Sequence, residues 1–131
     1  MAELQCIVVT PERTVVETAA DFVALTLFDG EIGILPMHAP MIGRLGVGEM
    51  RIDRDSQVDR YYIEGGFVQV IDDVVSVLTS RAILARELDS GVVREQLAEA
   101  MKKLANTPEL MATRDRSVSL ARAQLRVAQK S

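Results

Sequence analysis

The side chains able to do chemistry in this chain are few, and their spacing is poor for most of it. His38 is the only histidine and Cys6 the only cysteine, so neither a histidine-rich metal cage nor an intramolecular disulfide can form. A Ser-His-Asp arrangement would need His38, held between Pro36 and Pro40, to meet Ser56, Ser76, Ser80 or Ser90. None of these serines sits in a nucleophile-elbow context. Asp72 and Asp73 are adjacent carboxylates, but neighbours in a hairpin point apart and stay solvated, which does not make an acid-base pair. Gly43, Gly46 and Gly48 are spaced like a phosphate loop, yet no Lys-Ser/Thr pair follows and no helix opens there. A turn-rich connection between strands accounts for them better. The residues offer no catalytic set, no metal site and no cofactor site.

Binding is the remaining kind of function, and charge narrows it. Residues 1–88 hold 14 acidic residues against 7 arginines, whereas residues 89–131 hold 8 basic residues against 5 acidic ones. The late positive charge sits in Arg114, Arg116, Arg122, Arg126 and Lys130. Such a basic segment can seek an acidic protein surface, nucleic acid or the acidic body of its own chain. The chain has no Trp, two Tyr and three Phe, none of them in this segment, so the stacking half of a nucleic-acid site is missing. No run of about 18 apolar residues exists to insert in a membrane. The start, MAELQCIVVTPER, lacks both a secretory and a transit pattern, so the chain is expected to stay in the compartment where it is made.

One stretch stands out, Gly30-Glu31-Ile32-Gly33-Ile34-Leu35-Pro36-Met37-His38-Ala39-Pro40. Two glycines three apart admit unusual backbone angles, while Pro36 and Pro40 fix φ and remove donors, so the segment reads as a rigid corner. Ile32, Ile34 and Leu35 are expected to anchor it. A loop so apolar and constrained, with one charge at Glu31 and one imidazole at His38, is suited to presenting a surface to a partner.

The elements that must carry this loop divide near residue 88. Before it, short runs rich in β-branched residues predict strands at Leu4–Thr10, Thr14–Ala19, Asp21–Phe28, Gly48–Asp53, Gln57–Glu64, Phe67–Asp72 and Val74–Thr79. Seven or more strands at this spacing imply a β-sandwich or barrel. Asp72-Asp73 and Arg54-Asp55-Ser56 read as tight hairpins, and Gly65-Gly66 as a bulge or a close backbone approach. Cys6, in an apolar run, reads as a buried structural thiol. After residue 88 the period changes: Val93, Leu97, Met101 and Leu104 make the stripe of a helix over about Gly91–Ala105. Thr107 can cap a second helix beginning at Pro108, whose missing N–H costs nothing there. Val118, Ala121, Leu125 and Ala128 continue the pattern. Many alanines keep both helices thin, which permits a closely packed antiparallel hairpin.

That glycine, proline and histidine stretch, followed about 25 residues later by Gly65-Gly66-Phe67 and then by a tail ending Ala123-Gln124-Leu125-Arg126, resembles the ε subunit of F-type ATP synthases, equivalent to the mitochondrial δ subunit. Thr10-Pro11-Glu12-Arg13 after the opening strand also looks like that family's start, and the resemblance covers nearly the whole chain. It implies an all-β sandwich of about ten strands over residues 1–88, a docking domain, and an antiparallel α-helical hairpin over 89–131, a regulatory one. It also implies a non-catalytic rotor subunit that binds the γ subunit, rests on the c ring at the foot of the central stalk, and turns during ATP synthesis driven by an ion gradient. The implied setting is the cytoplasmic face of a bacterial inner membrane or, as the other possibility, a plastid thylakoid. Because the chain begins directly with its first strand, mitochondrial import is not expected.

Carried over by position, Glu31 falls where the family contacts the polar loops of the c ring. Pro36, Met37, His38, Ala39 and Pro40 fall in the edge facing γ and the ring. In the family the hairpin lies folded on the sandwich or extends toward the catalytic α and β subunits, where basic residues inhibit hydrolysis; Arg114, Arg116, Arg122 and Arg126 correspond. Some members bind ATP through an apolar residue and Asp, two further residues, then Arg-Ala. Leu88-Asp89 is present here, but Val92-Val93 stand in place of Arg-Ala and Arg94 comes two places late. That departure argues against tight ATP sensing and leaves Asp89, Arg122 and Arg126 as the candidate nucleotide contacts. Two other classes fit the same residues: a free-standing sandwich adaptor binding a protein through Pro36–Pro40, and a small hydrolase using His38. Co-purification with a large membrane ATPase separates the first from a rotor subunit, and loss of turnover in His38→Ala identifies the second.

Overall fold

The computed structural model describes residues 3–130. Eight strands are followed by two helices: β1 (Leu4–Val9), β2 (Thr14–Ala20), β3 (Phe22–Leu27), β4 (Gly30–Ile34), β5 (Met41–Arg54), β6 (Gln57–Ile71), β7 (Val74–Leu78), β8 (Ala82–Leu84), a 3-10 turn at Ala85–Glu87, α1 (Ser90–Met101) and α2 (Pro108–Lys130). The strands hydrogen-bond in the order β2-β1-β7-β6-β5-β3-β4, with β8 also on β6. All neighbours are antiparallel except β1 and β7.

This continuous sheet closes on itself as a sandwich because β5 and β6 run through both layers. Leu4, Cys6 and Val8 of β1, Val75 and Val77 of β7, and Val68 and Val70 of β6 point inward. They meet Val23 and Leu25 of β3, Ile34 of β4, Met50 and Ile52 of β5, and Tyr61 and Ile63 of β6. Each fully buried Val or Leu contributes about 1.5–3 kcal/mol. Cys6 lies in this core, and burial pushes its thiol up to about 12, so it stays protonated and structural. The sandwich thus has eight strands, two of them of double length: Gln57–Glu64 and Phe67–Asp72, expected as separate strands, are the two halves of β6. Counting the halves of β5 and β6 separately restores ten.

The inward parity changes within β6, from odd at Tyr61 and Ile63 to even at Val68 and Val70. The pairing of β5 with β6 skips one residue on each strand, between Leu45↔Gly66 and Val47↔Glu64. The register is the same on both sides of this gap, so the two strands turn over together there. Gly65 and Gly66 hold positive φ of 68° and 104°, and a Cβ on Gly66 would overlap the Leu78 carbonyl oxygen. Of the bulge or close backbone approach expected at this pair, the structure has the close approach, of β6 to the Leu78 backbone, and it marks the fold-over point of the sandwich. Gly46 and Gly48 lie inside β5 and not in a turn: a Cβ there would come 2.7 Å from the Leu27 carbonyl oxygen and 2.8 Å from Thr26 Oγ1, so these glycines let β3 approach. The two tight turns, Asp55-Ser56 (φ 47° and 69°) and Asp72-Asp73 (φ 49° and 63°), have the paired positive angles of type I′ hairpins.

Asp89 caps α1, its Oδ1 accepting from Gly91 N at 2.8 Å and Val92 N at 3.2 Å. Thr107 caps α2 through Leu110 N at 3.1 Å, with Pro108 in the first turn. Helix α1 ends at Met101, not near Ala105, because residues 102–107 are used to reverse the chain before Pro108. The buried line on α1 is accordingly Val93 and Ala100 with half-buried Leu97, while Met101 and Leu104 are exposed. On α2, Ala121 is buried and Val118, Leu125 and Ala128 are half-buried, but Ala123, Gln124 and Val127 are buried too. The extra buried positions arise because α2 has two neighbours, α1 and the sandwich.

Gly66→Ala is expected to destabilise the protein by about 2–4 kcal/mol, through a clash with backbone at a left-handed φ. Urea unfolding of the purified variant measures this.

Candidate docking surface

The stretch that reads as one corner is two pieces. Gly30–Ile34 is β4, paired Thr26↔Glu31 and Val23↔Ile34 with β3. Alternation sends Ile34 to the core with Ile32 packed beside it, and leaves Glu31 outward and exposed. Leu35, expected as an anchor, is exposed because it follows the last inward position. The true loop is residues 35–40, which leads from β4 in one layer to β5 in the other. Met37 takes φ 69°, and its amide donates to Asp73 Oδ1 at 2.6 Å. That carboxylate, on the β6–β7 turn, is what holds the loop in shape. Half-buried His38 has Nδ1 2.7 Å from the Ala39 carbonyl oxygen, so its ring leans on its own loop. Met37, Ala39 and Pro40 are exposed and Pro36 is half-buried. Ser80, one of the candidate nucleophiles, donates to the Glu64 carbonyl at 2.6 Å.

Glu31 opens onto a groove of about 570 Å³ between the outer face of β3, β4 and β5 and the last turns of α2, lined by Phe22, Thr26, Gly48, Arg51 and Arg126 among others. Arg51 in its wall is held by Asp53 at 2.9 Å and stacks on the Phe22 ring at 5.3 Å. The groove thus brings Glu31 and Arg126 to one place, a pairing not foreseen from the sequence. Asp89 is occupied as the α1 cap, and exposed Arg122 lies one turn before Arg126. Arg114 is half-buried with Nη2 3.4 Å from Asp115 Oδ1, and Arg116 is exposed.

The surface that sequence reasoning missed lies on the other layer. The register Arg44↔Phe67↔Leu78↔Val9 crosses β5, β6, β7 and β1, and Phe28 sits beside it with its amide bonded to the Arg44 carbonyl at 2.9 Å. Phe28, Ile42, Phe67 and Leu78 are 68%, 77%, 58% and 54% exposed. The Arg44 guanidinium covers the Phe28 ring at 4.7 Å. A band of large apolar side chains on the water face of a sheet is the mark of a docking surface. The signal was available: if Val68 and Val70 face inward, Phe67 must face out.

Among the described residues no cluster of His, Cys, Asp or Glu could hold a metal ion, and no helix is long and apolar enough to cross a membrane. A rigid sandwich with an apolar outer face and a thin hairpin laid on the opposite layer defines a docking module of the sandwich-plus-hairpin class. Known proteins specify which. The family model for the β-sandwich domain of the ATP synthase Delta/Epsilon chain matches residues 3–85, so the chain belongs to that family. The ATP synthase epsilon chain of Rhodopirellula baltica is 51% identical over 123 residues, covering 94% of this chain and 96% of that one. That of Symbiobacterium thermophilum is 34% identical over 128 residues, covering 97% and 92%. A chain of the Euglena gracilis mitochondrial ATP synthase shares the fold at 21% identity, with a TM-score of 0.87 over 98% of this chain and 82% of its own. Members of this family are accessory and not catalytic, peripheral subunits of the membrane-bound F-type complex.

Asp73→Gly keeps the positive φ accessible and removes the acceptor. Amide exchange at Met37 should then speed about tenfold, with about 1 kcal/mol or less lost from global stability. Exchange followed by NMR, alongside urea unfolding, checks both.

Proposed function

We propose that this chain is the central-stalk subunit that couples the γ subunit to the c ring of a bacterial F-type ATP synthase, at the cytoplasmic face of the inner membrane. The observation that carries the docking role is the exposed row of Phe28, Ile42, Phe67 and Leu78, which we assign to γ. Such apolar area, once desolvated, supplies the core of a stable interface, and Arg44 within it supplies the kind of anchor that interfaces favour. The loop around Pro36, Met37, His38, Ala39 and Pro40 adjoins the β6–β7 turn through Asp73 and presents a preorganised edge, which lowers the ordering cost of binding. Glu31 on β4 is the carboxylate offered to the polar loops of the ring.

The hairpin is the regulatory part of this reading. Arg116, Arg122 and Arg126 are exposed with the hairpin folded. An extended hairpin would carry them, with Arg114, toward an acidic segment of the catalytic subunits. The Asp89 carboxylate is engaged as the cap of α1, so this reading gives it a structural role in the folded hairpin.

Phe67→Glu tests the docking face without touching the core, because Phe67 is already on the surface. Co-purification with γ should fall at least tenfold while the circular dichroism spectrum is unchanged; full recovery with γ would remove the assignment of this face.

A further inference from the structure

Arg44 is out of keeping with its surroundings. It stands on β5 in the row Arg44↔Phe67↔Leu78↔Val9, and no other member of that row, or of the neighbouring row Ile42↔Gln69↔Ser76↔Ile7, carries a charge. The other arginines on the strands each have a carboxylate at hand: Arg51 meets Asp53 at 2.9 Å, Arg60 meets Glu49 at 3.2 Å and Arg54 meets Asp55 at 3.9 Å. Arg44 makes no such ion pair with any described residue. Its guanidinium carbon lies 4.7 Å from the centre of the Phe28 ring, and the side chain is exposed, so its N–H donors are open to solvent.

A partner that covers Phe67 and Leu78 takes Arg44 out of water with them, because Phe67 lies directly opposite it in the sheet. Attraction to one aromatic ring replaces only a small part of the hydration that a guanidinium loses, and an unpaired buried charge is among the costliest features an interface can hold. The ring accepts none of the directional hydrogen bonds, so the N–H fork remains for an oxyanion, and a carboxylate matches that fork with two parallel bonds. Contact with Phe28 restrains the fork beforehand, which lowers the cost of ordering it.

We propose that Arg44 determines which segment of γ this face accepts: one that seats an Asp or Glu carboxylate on the guanidinium, with apolar side chains around it to cover Phe28, Phe67 and Leu78. This rests on the assignment of the apolar row to γ, and adds the chemistry that the opposing surface must have. A wholly apolar segment would leave Arg44 buried and unpaired, and a basic one would repel it.

Binding of the full chain to the F-type complex lacking this subunit, followed by surface plasmon resonance, tests this. Arg44→Met keeps a long unbranched side chain and removes the charge; it should weaken binding about tenfold or more, chiefly through faster dissociation, because the γ carboxylate is left unpaired. Arg44→Lys, which keeps the charge and loses the fork, should recover part of that loss. Arg44→Glu should weaken binding about 100-fold or more, and one Asp/Glu→Lys replacement among the acidic residues of γ should restore about tenfold of it. Arg44→Met binding as tightly as the native chain, or more tightly, would overturn the proposal, as would the absence of any rescuing replacement in γ. Phe67→Glu separates this from the docking assignment. If it abolishes binding while Arg44→Met does not, the face stands and the charge match falls; binding that survives Phe67→Glu puts γ elsewhere and removes both.

Discussion

The structure depends on one backbone constraint, the fold-over of β6 at Gly65-Gly66. The positive φ at both residues, and the absence of a Cβ where Leu78 offers its carbonyl oxygen, allow one sheet to continue from layer to layer. The same break reverses which side chains face inward. Before it, Tyr61 and Ile63 enter the core and Tyr62 and Glu64 point out; after it, Val68 and Val70 enter and Phe67 points out. The sandwich thereby gains two different outer faces from a single strand.

Those faces have different fates. The face carrying Tyr62 is covered by the protein's own α2, through small residues and a hydrogen-bonded phenol. The face carrying Phe67 is left to water, which costs free energy unless a partner covers it. One surface is covered by the chain's own hairpin and the other is left open. The loop at 35–40 lies beyond the core, its shape fixed by a carboxylate from a neighbouring turn and not by its own apolar residues.

Much of this was legible in the sequence where local chemistry decides the outcome. Thr107-Pro108 announced the start of α2, Asp72-Asp73 and Asp55-Ser56 announced their turns, and β-branched runs announced most strands. What stayed hidden depends on the tertiary neighbour. Gly30–Ile34 reads as a corner because its glycines and prolines outweigh a short alternation, yet β3 offers it a partner. Met101 and Leu104 continue a helical stripe by period, yet the chain must turn before Pro108. In the candidate site, the motif drew attention to Glu31 and His38, while the apolar row was spread over three strands and the turn after β3, and was visible only through register.

The central claim is that the sandwich carries docking and the hairpin does not. Reconstitution of the F-type complex with the full chain and with a chain ending at residue 88, followed by quantification of each bound to γ, tests it most directly. The account predicts equal occupancy for the two, with ATP hydrolysis unchanged or faster in the shortened form. Loss of the shortened chain from the complex would contradict it.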